Sequence, residues 1–143
     1  MAIHLFTKAI FENRPIDVFN QGDMIRDFTY IDDIVEAVIR ISKKRPTPAP
    51  AETPLTPNIS RAPYQIFNVG SDNPIPLMNF IHLLEDEIGI QAKINYLPLQ
   101  SGDISASWAN VDDLNESIDF RPRTPINQGI KNFVNWFREY YHG

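Results

Sequence analysis

Apolar positions recur at helical spacing through the first residues of the chain. Ile3, Phe6 and Ile10 fall three to four apart, and no glycine interrupts the run to Asn13, so a helix is expected there, ended by Pro15. Ile16-Asp17-Val18-Phe19-Asn20 alternates and predicts a short strand, stopped by a turn at Gln21-Gly22-Asp23. Arg26 to Tyr30 predicts a second short strand. A helix follows, with Asp32 or Asp33 as cap and an apolar stripe of Ile31, Ile34/Val35, Val38/Ile39 and Ile41. Lys43, Lys44 and Arg45 close it, where cations suit the negative helix end.

Farther along, Tyr64 to Gly70 predicts a strand leading into a Gly-Ser-Asp-Asn turn. Pro76 fits the first turn of a helix with stripe Leu77, Phe80/Ile81, Leu84 and Ile88, and Gly89 is its stop. Ala92 to Leu97 alternates as a strand, and Val111 to Ile118 reads as a short helix. Thr124-Pro125 opens a last helix with Ile126, Ile130, Phe133/Val134, Phe137 and Tyr140/Tyr141 on one face. That face suits a core, or a contact with a missing lobe or a second subunit. Interleaved strands and helices make the fold class α/β.

Between these halves, six of the twelve prolines crowd into Pro46–Pro63. Each removes a backbone donor and fixes φ, so residues 44–63 are expected to form a long surface loop, disordered or inserted, or a linker between two small lobes. The 143 residues are enough for one ordinary domain. Cysteine is absent, which excludes disulfides, a thiolate nucleophile and Cys-based metal sites. The formal charge of −5 argues against a nucleic-acid partner, and the Lys43-Lys44-Arg45 cluster is too short to reverse that. No run of apolar residues is long enough to span a membrane, and the first residues lack the layout of a signal peptide, so a cytoplasmic address is expected.

No catalytic set is complete. The six glycines are scattered, so neither a dinucleotide loop nor a P-loop can form. Four residues after Tyr30, Tyr64 and Tyr96 stand Ile34, Asn68 and Gln100, which excludes a Tyr-x-x-x-Lys pair. His4, His82 and His142 lack metal-ligand spacing, so no metal site is expected. Asp112-Asp113 and Glu85-Asp86-Glu87 fit solvated helix faces.

The informative run is Gly22, then Arg26-Asp27-Phe28, then Tyr30-Ile31-Asp32-Asp33 ahead of an amphipathic helix. It resembles the C-terminal part of NAD-dependent nucleotide-sugar epimerases and dehydratases, the extended short-chain dehydrogenases/reductases. Phe67-Asn68-Val69-Gly70, the Gly102-Asp103 loop and Gly129 to Trp136 match further family segments in order. In detail the chain is most similar to UDP-glucuronate 4-epimerases of capsule and lipopolysaccharide synthesis.

The resemblance implies a C-terminal substrate-binding portion over residues 1–143, with the Rossmann core missing. The glycine loop and the Tyr-x-x-x-Lys pair would lie upstream of Met1. There NAD would take hydride from carbon 4 of the sugar and return it to the other face of the keto intermediate, with the tyrosine as base. The expected partners are a UDP-sugar, the missing N-terminal Rossmann domain and a second copy in a homodimer. This chain alone should bind no NAD and be inactive.

The substrate-binding residues that the resemblance assigns are Arg26, Phe19, Asp103 and Gln100. Arg26 offers a planar cationic fork to the diphosphate; surface pairing with Asp23 or Asp27 is the alternative. Phe19 would lie beside the uracil and Asp103 would accept a ribose hydroxyl. Gln100 stands where some relatives carry a second phosphate arginine. Other readings are a dehydratase or decarboxylase of the same superfamily, and a stand-alone interaction domain.

Overall fold

A computed structural model describes residues 2–142. In chain order the elements are α1 (Ala2–Phe11), β1 (Ile16–Val18), β2 (Ile25–Arg26), α2 (Ile31–Ser42), β3 (Ile75–Pro76), α3 (Leu77–Ile88), β4 (Ile94–Tyr96), β5 (Ala106–Ser107), α4 (Asp112–Ile118) and α5 (Ile126–His142). A 3-10 turn, Phe19–Gly22, joins β1 to β2. They form two compact units, the first from residues 2–28, 73–108 and 125–142 and the second from residues 29–72 and 109–124.

In the first unit β1 pairs in parallel with β4, setting Ile16 opposite Ile94 and Val18 opposite Tyr96. β2 lies between β3, antiparallel, and β5, parallel. Ile10, Val18, Phe80, Ile81, Leu84, Ile130 and Val134 are buried together, so the stripe expected for α3 and the earlier part of that for α5 form this core, while Tyr140 and Tyr141 at the end of the α5 stripe are exposed. Phe28 stacks on Phe80 with ring centres 4.0 Å apart. Gly89 ends α3 in the left-handed region at φ 80°, as expected. Arg138 donates to the carbonyls of Glu87 and Ile88, both at 3.1 Å, and so caps that helix end from α5.

The second unit is built around Ala37, Val111 and Leu114, with Phe67, Val69 and Phe120 packed on them. The proline-rich segment lies wholly in this unit and contains turns. Arg61 donates to the carbonyls of Ala51 and Thr53 at 2.8 and 2.9 Å, and Ala49 N–H reaches Ser60 O at 2.8 Å.

Several expected elements differ. Residues 64–70 make a single bridge, Ile59 to Gln65, and no ladder. Phe67 and Val69 still face inward in alternation, but a strand needs a neighbour, and among the described residues none runs beside it. The second strand is only two residues long, so Asp27 to Tyr30 is irregular. Neither Asp32 nor Asp33 caps α2: Tyr30 holds that position in extended backbone with no side-chain bond. The apolar stripe of α2 is largely in solvent, with Ile31 60%, Val35 47% and Val38 58% exposed.

Candidate functional site

β2 carries the site. Its pairing with β3 and β5 fixes Arg26 opposite Ile75 and Ser107, so the guanidinium projects from an anchored backbone. Nη2 stands 3.2 Å from Asp103 Oδ1 and donates to Ile104 O at 2.8 Å. Nη1 donates to Ile25 O at 2.9 Å and to Ser105 O at 3.2 Å. The Arg26 side chain is 23% exposed, screened from bulk water but reachable. Asp103 is thus a carboxylate partner of the guanidinium.

Asp103 sits on a tight turn. Its N–H reaches Gln100 O at 3.1 Å, and Gly102 takes φ 85°, which a side chain would strain. Oδ1 also accepts Ile104 N–H at 2.8 Å, which fixes the carboxylate's orientation. Phe19 is placed by β1 and the turn after it, where Leu97 N–H bonds Val18 O at 2.9 Å and Gln21 N–H bonds Leu97 O at 3.2 Å. Asn20, Gln21 and Gly22 all take positive φ, which reverses the chain sharply between Phe19 and β2.

Phe19, Arg26 and Asp103 line one cavity of about 660 Å³, with Phe6, Phe28 and Leu77 among its apolar walls. An aromatic ring, a guanidinium and a carboxylate therefore meet around a largely apolar hollow whose rim also carries Asp17 and Asp27. Gln100 is not part of that lining; its carbonyl closes the turn that carries Asp103. Two cations not expected there, Lys8 and Arg14, also line it. Both pair with Glu12, Lys8 at 4.0 Å and Arg14 through Nε at 2.7 Å. Helical spacing places Lys8 beside Glu12 and signals only a surface pair, so nothing in the pattern pointed them at the cavity.

Arg121 bridges Asp72, at 3.3 Å, and Asp112. Its hydrogen bond, with a smaller one from Asn110, holds the Asp112 carboxyl below its ordinary value. Among the described residues no group of His, Asp and Glu could hold a metal ion, and no helix is long and apolar enough to cross a membrane.

The mixed α/β architecture is that of the C-terminal portion of an extended short-chain dehydrogenase/reductase epimerase. The model of the NAD dependent epimerase/dehydratase family matches residues 1–70 of the chain. It is 47% identical to Protein CapI of Staphylococcus aureus over 99% of this chain and 43% of that protein. It is 36% identical to UDP-glucuronate 4-epimerase of Thermodesulfobacterium geofontis over 97% of this chain and 38% of that protein. The crystal structure of UDP-glucuronic acid 4-epimerase from Bacillus cereus, bound to UDP-glucuronic acid and NAD, shares the fold with a TM-score of 0.78. It is 23% identical, over 99% of this chain and 40% of that one. The chain thus spans about two fifths of the length of the curated relatives it matches.

The residues present do not fit an NAD pyrophosphate. A cradle of that kind needs clustered glycines at a helix start. Here α2 opens after Tyr30, α3 after Pro76 and α4 after Val111.

Proposed function

We propose that residues 1–143 form the nucleotide-sugar-binding portion of a UDP-glucuronate 4-epimerase type of enzyme, and that the cavity beside Arg26 takes the UDP moiety. The observation that carries this is the convergence of Phe19, Arg26 and Asp103 on one hollow. An aromatic wall suits a flat base, a guanidinium suits phosphate oxygens, and a carboxylate accepts from ribose hydroxyls. Gln100 supplies no charge, and an absent charge-assisted bond is worth about 1.5–3 kcal/mol. Arg26 therefore carries most of the diphosphate affinity within this chain.

In the same reading NAD and the redox step belong to an N-terminal Rossmann domain, which is the partner of this portion, and the enzyme is a cytoplasmic homodimer serving surface-polysaccharide synthesis. Its exposed α2 face, with Ile31, Val35 and Val38, suits burial against that larger protein. This chain by itself turns over no UDP-glucuronate, with or without added NAD.

The test is calorimetric titration of UDP into the chain and into its Arg26→Ala form. The expected loss of affinity is tenfold or more, roughly one charge-assisted bond. Equal affinity in the two proteins overturns the assignment.

A further inference from the structure

Every terminal N–H of Arg26 already has an acceptor inside the protein. Nη1 serves the carbonyls of Ile25 and Ser105, and Nη2 serves the Ile104 carbonyl, the Asp103 carboxylate and, weakly at 3.9 Å, the Met24 thioether. A diphosphate oxygen can therefore take a hydrogen bond from the end of this fork only by displacing one of these partners.

These partners are not equally held. Three are backbone carbonyls, and those of Ile104 and Ser105 lie in the segment that leads into β5 and its pairing with β2. Moving them disturbs the sheet. Asp103 is the one carboxylate among them, its bond is 3.2 Å long, and its side chain is 33% exposed on a turn that bends at Gly102. Rotating that side chain breaks no sheet pairing and gives up only one further bond, the one Oδ1 accepts from the Ile104 N–H.

Resting on the UDP reading, we infer that the diphosphate and Asp103 compete for Nη2 of Arg26, and that the exchange releases the Asp103 carboxylate to accept from the nucleotide's ribose hydroxyls. Before binding, Asp103 keeps the Arg26 cation paired. After binding, a more highly charged anion has replaced it on the fork. The freed carboxylate then repels a bare pyrophosphate and is offset only when a ribose diol occupies it. One ion pair thus makes the site favour a nucleoside diphosphate over the inorganic anion.

Inorganic pyrophosphate and UDP are titrated into the chain and into its Asp103→Ala and Asp103→Asn forms. Asp103 is on an exposed turn, so both variants should keep the fold, which circular dichroism checks. Expected is a gain in pyrophosphate affinity of about fivefold in Asp103→Ala, the equivalent of one surface ion pair. Asp103→Asn, which keeps a neutral acceptor, gains less. UDP gains less than pyrophosphate does in Asp103→Ala, or loses affinity, because it forfeits the ribose contact. If the chain binds UDP while pyrophosphate affinity is equal or lower in Asp103→Ala, the exchange is overturned and the UDP reading stands. If no form binds either anion, the UDP reading fails and the exchange fails with it.

Discussion

The carboxylate of Asp33 accepts a hydrogen bond from the backbone N–H of Thr124 at 3.0 Å, across 91 positions of sequence. A residue expected to close the start of α2 instead satisfies a donor on a distant loop of the same unit. Asp32, its neighbour in the first turn, is exposed and contributes through the helix dipole. Asp33→Ala should therefore cost about 1–2 kcal/mol, since it leaves a part-buried N–H unpaired. Asp32→Ala should cost no more than about 0.5 kcal/mol. Urea unfolding of the two variants checks the order, and equal losses would return Asp33 to an ordinary first-turn charge.

Helices were legible because their signal is repeated. Leu77, Phe80, Ile81, Leu84 and Ile88 state one period several times over, and all five are buried. β2, β3 and β5 are two residues long, too short to show any alternation. The Tyr64–Gly70 segment shows alternation and lacks only a partner, which no local pattern can report. The site divides in the same way. Spacing says nothing of a contact between Arg26 and Asp103, and only the family resemblance named both. The cavity-lining Lys8 and Arg14 are invisible to both routes, because their sequence signature is that of a solvated pair.

Gly22 holds φ 84°, and a Cβ added there would stand 2.7 Å from Met78 Sδ. The thioether is flexible and can move, so the backbone term decides the outcome. Gly22→Ala should destabilise by about 1–2 kcal/mol, the cost of forcing an L-residue into the left-handed region. Because this turn places Phe19, the substitution should also weaken UDP binding. A variant with the wild-type melting midpoint would show that the turn relaxes freely.

Thr7 is fully buried in α1, and its hydroxyl has no partner among the described residues. Valine has the same shape without the hydroxyl, and the two residues have similar helix propensity. Thr7→Val should therefore stabilise the chain by about 1 kcal/mol, the penalty of a buried unpaired polar atom. Thermal unfolding reads it directly. A lower midpoint in Thr7→Val would mean that the hydroxyl is in fact bonded, for instance to an ordered water.

Arg121 lowers the Asp112 carboxyl below its ordinary value of 3.8, chiefly by its hydrogen bond and then with help from Asn110. The folded state therefore binds this proton less readily than the unfolded chain. The associated stability is complete above the ordinary carboxylate value and is lost as the pH falls through the lower folded value. In Arg121→Ala, Asp112 should titrate closer to 3.8, and unfolding should depend less on pH in that acid range. A carboxylate titration by NMR checks this. Superimposable Asp112 curves in the two proteins would remove Arg121 as the cause.

The α2 stripe offers the sharpest contrast between this chain and a longer one. Its spacing is that of a core-facing helix, yet Ala37 is its one buried residue and Val35 and Val38 are half exposed. Neither valine belongs to the buried cluster of this unit, and glutamine is the better helix former. In the 143-residue chain the double variant should unfold within about 0.5 kcal/mol of the original and self-associate less in sedimentation velocity. The same pair changed in a protein that also carries an N-terminal Rossmann domain should cost several-fold more, on the order of 2 kcal/mol, because covered valines would then lose their burial. Substitutions silent in both proteins would make α2 a solvent face throughout, and the apolar stripe would then have to be explained by a partner other than the Rossmann domain.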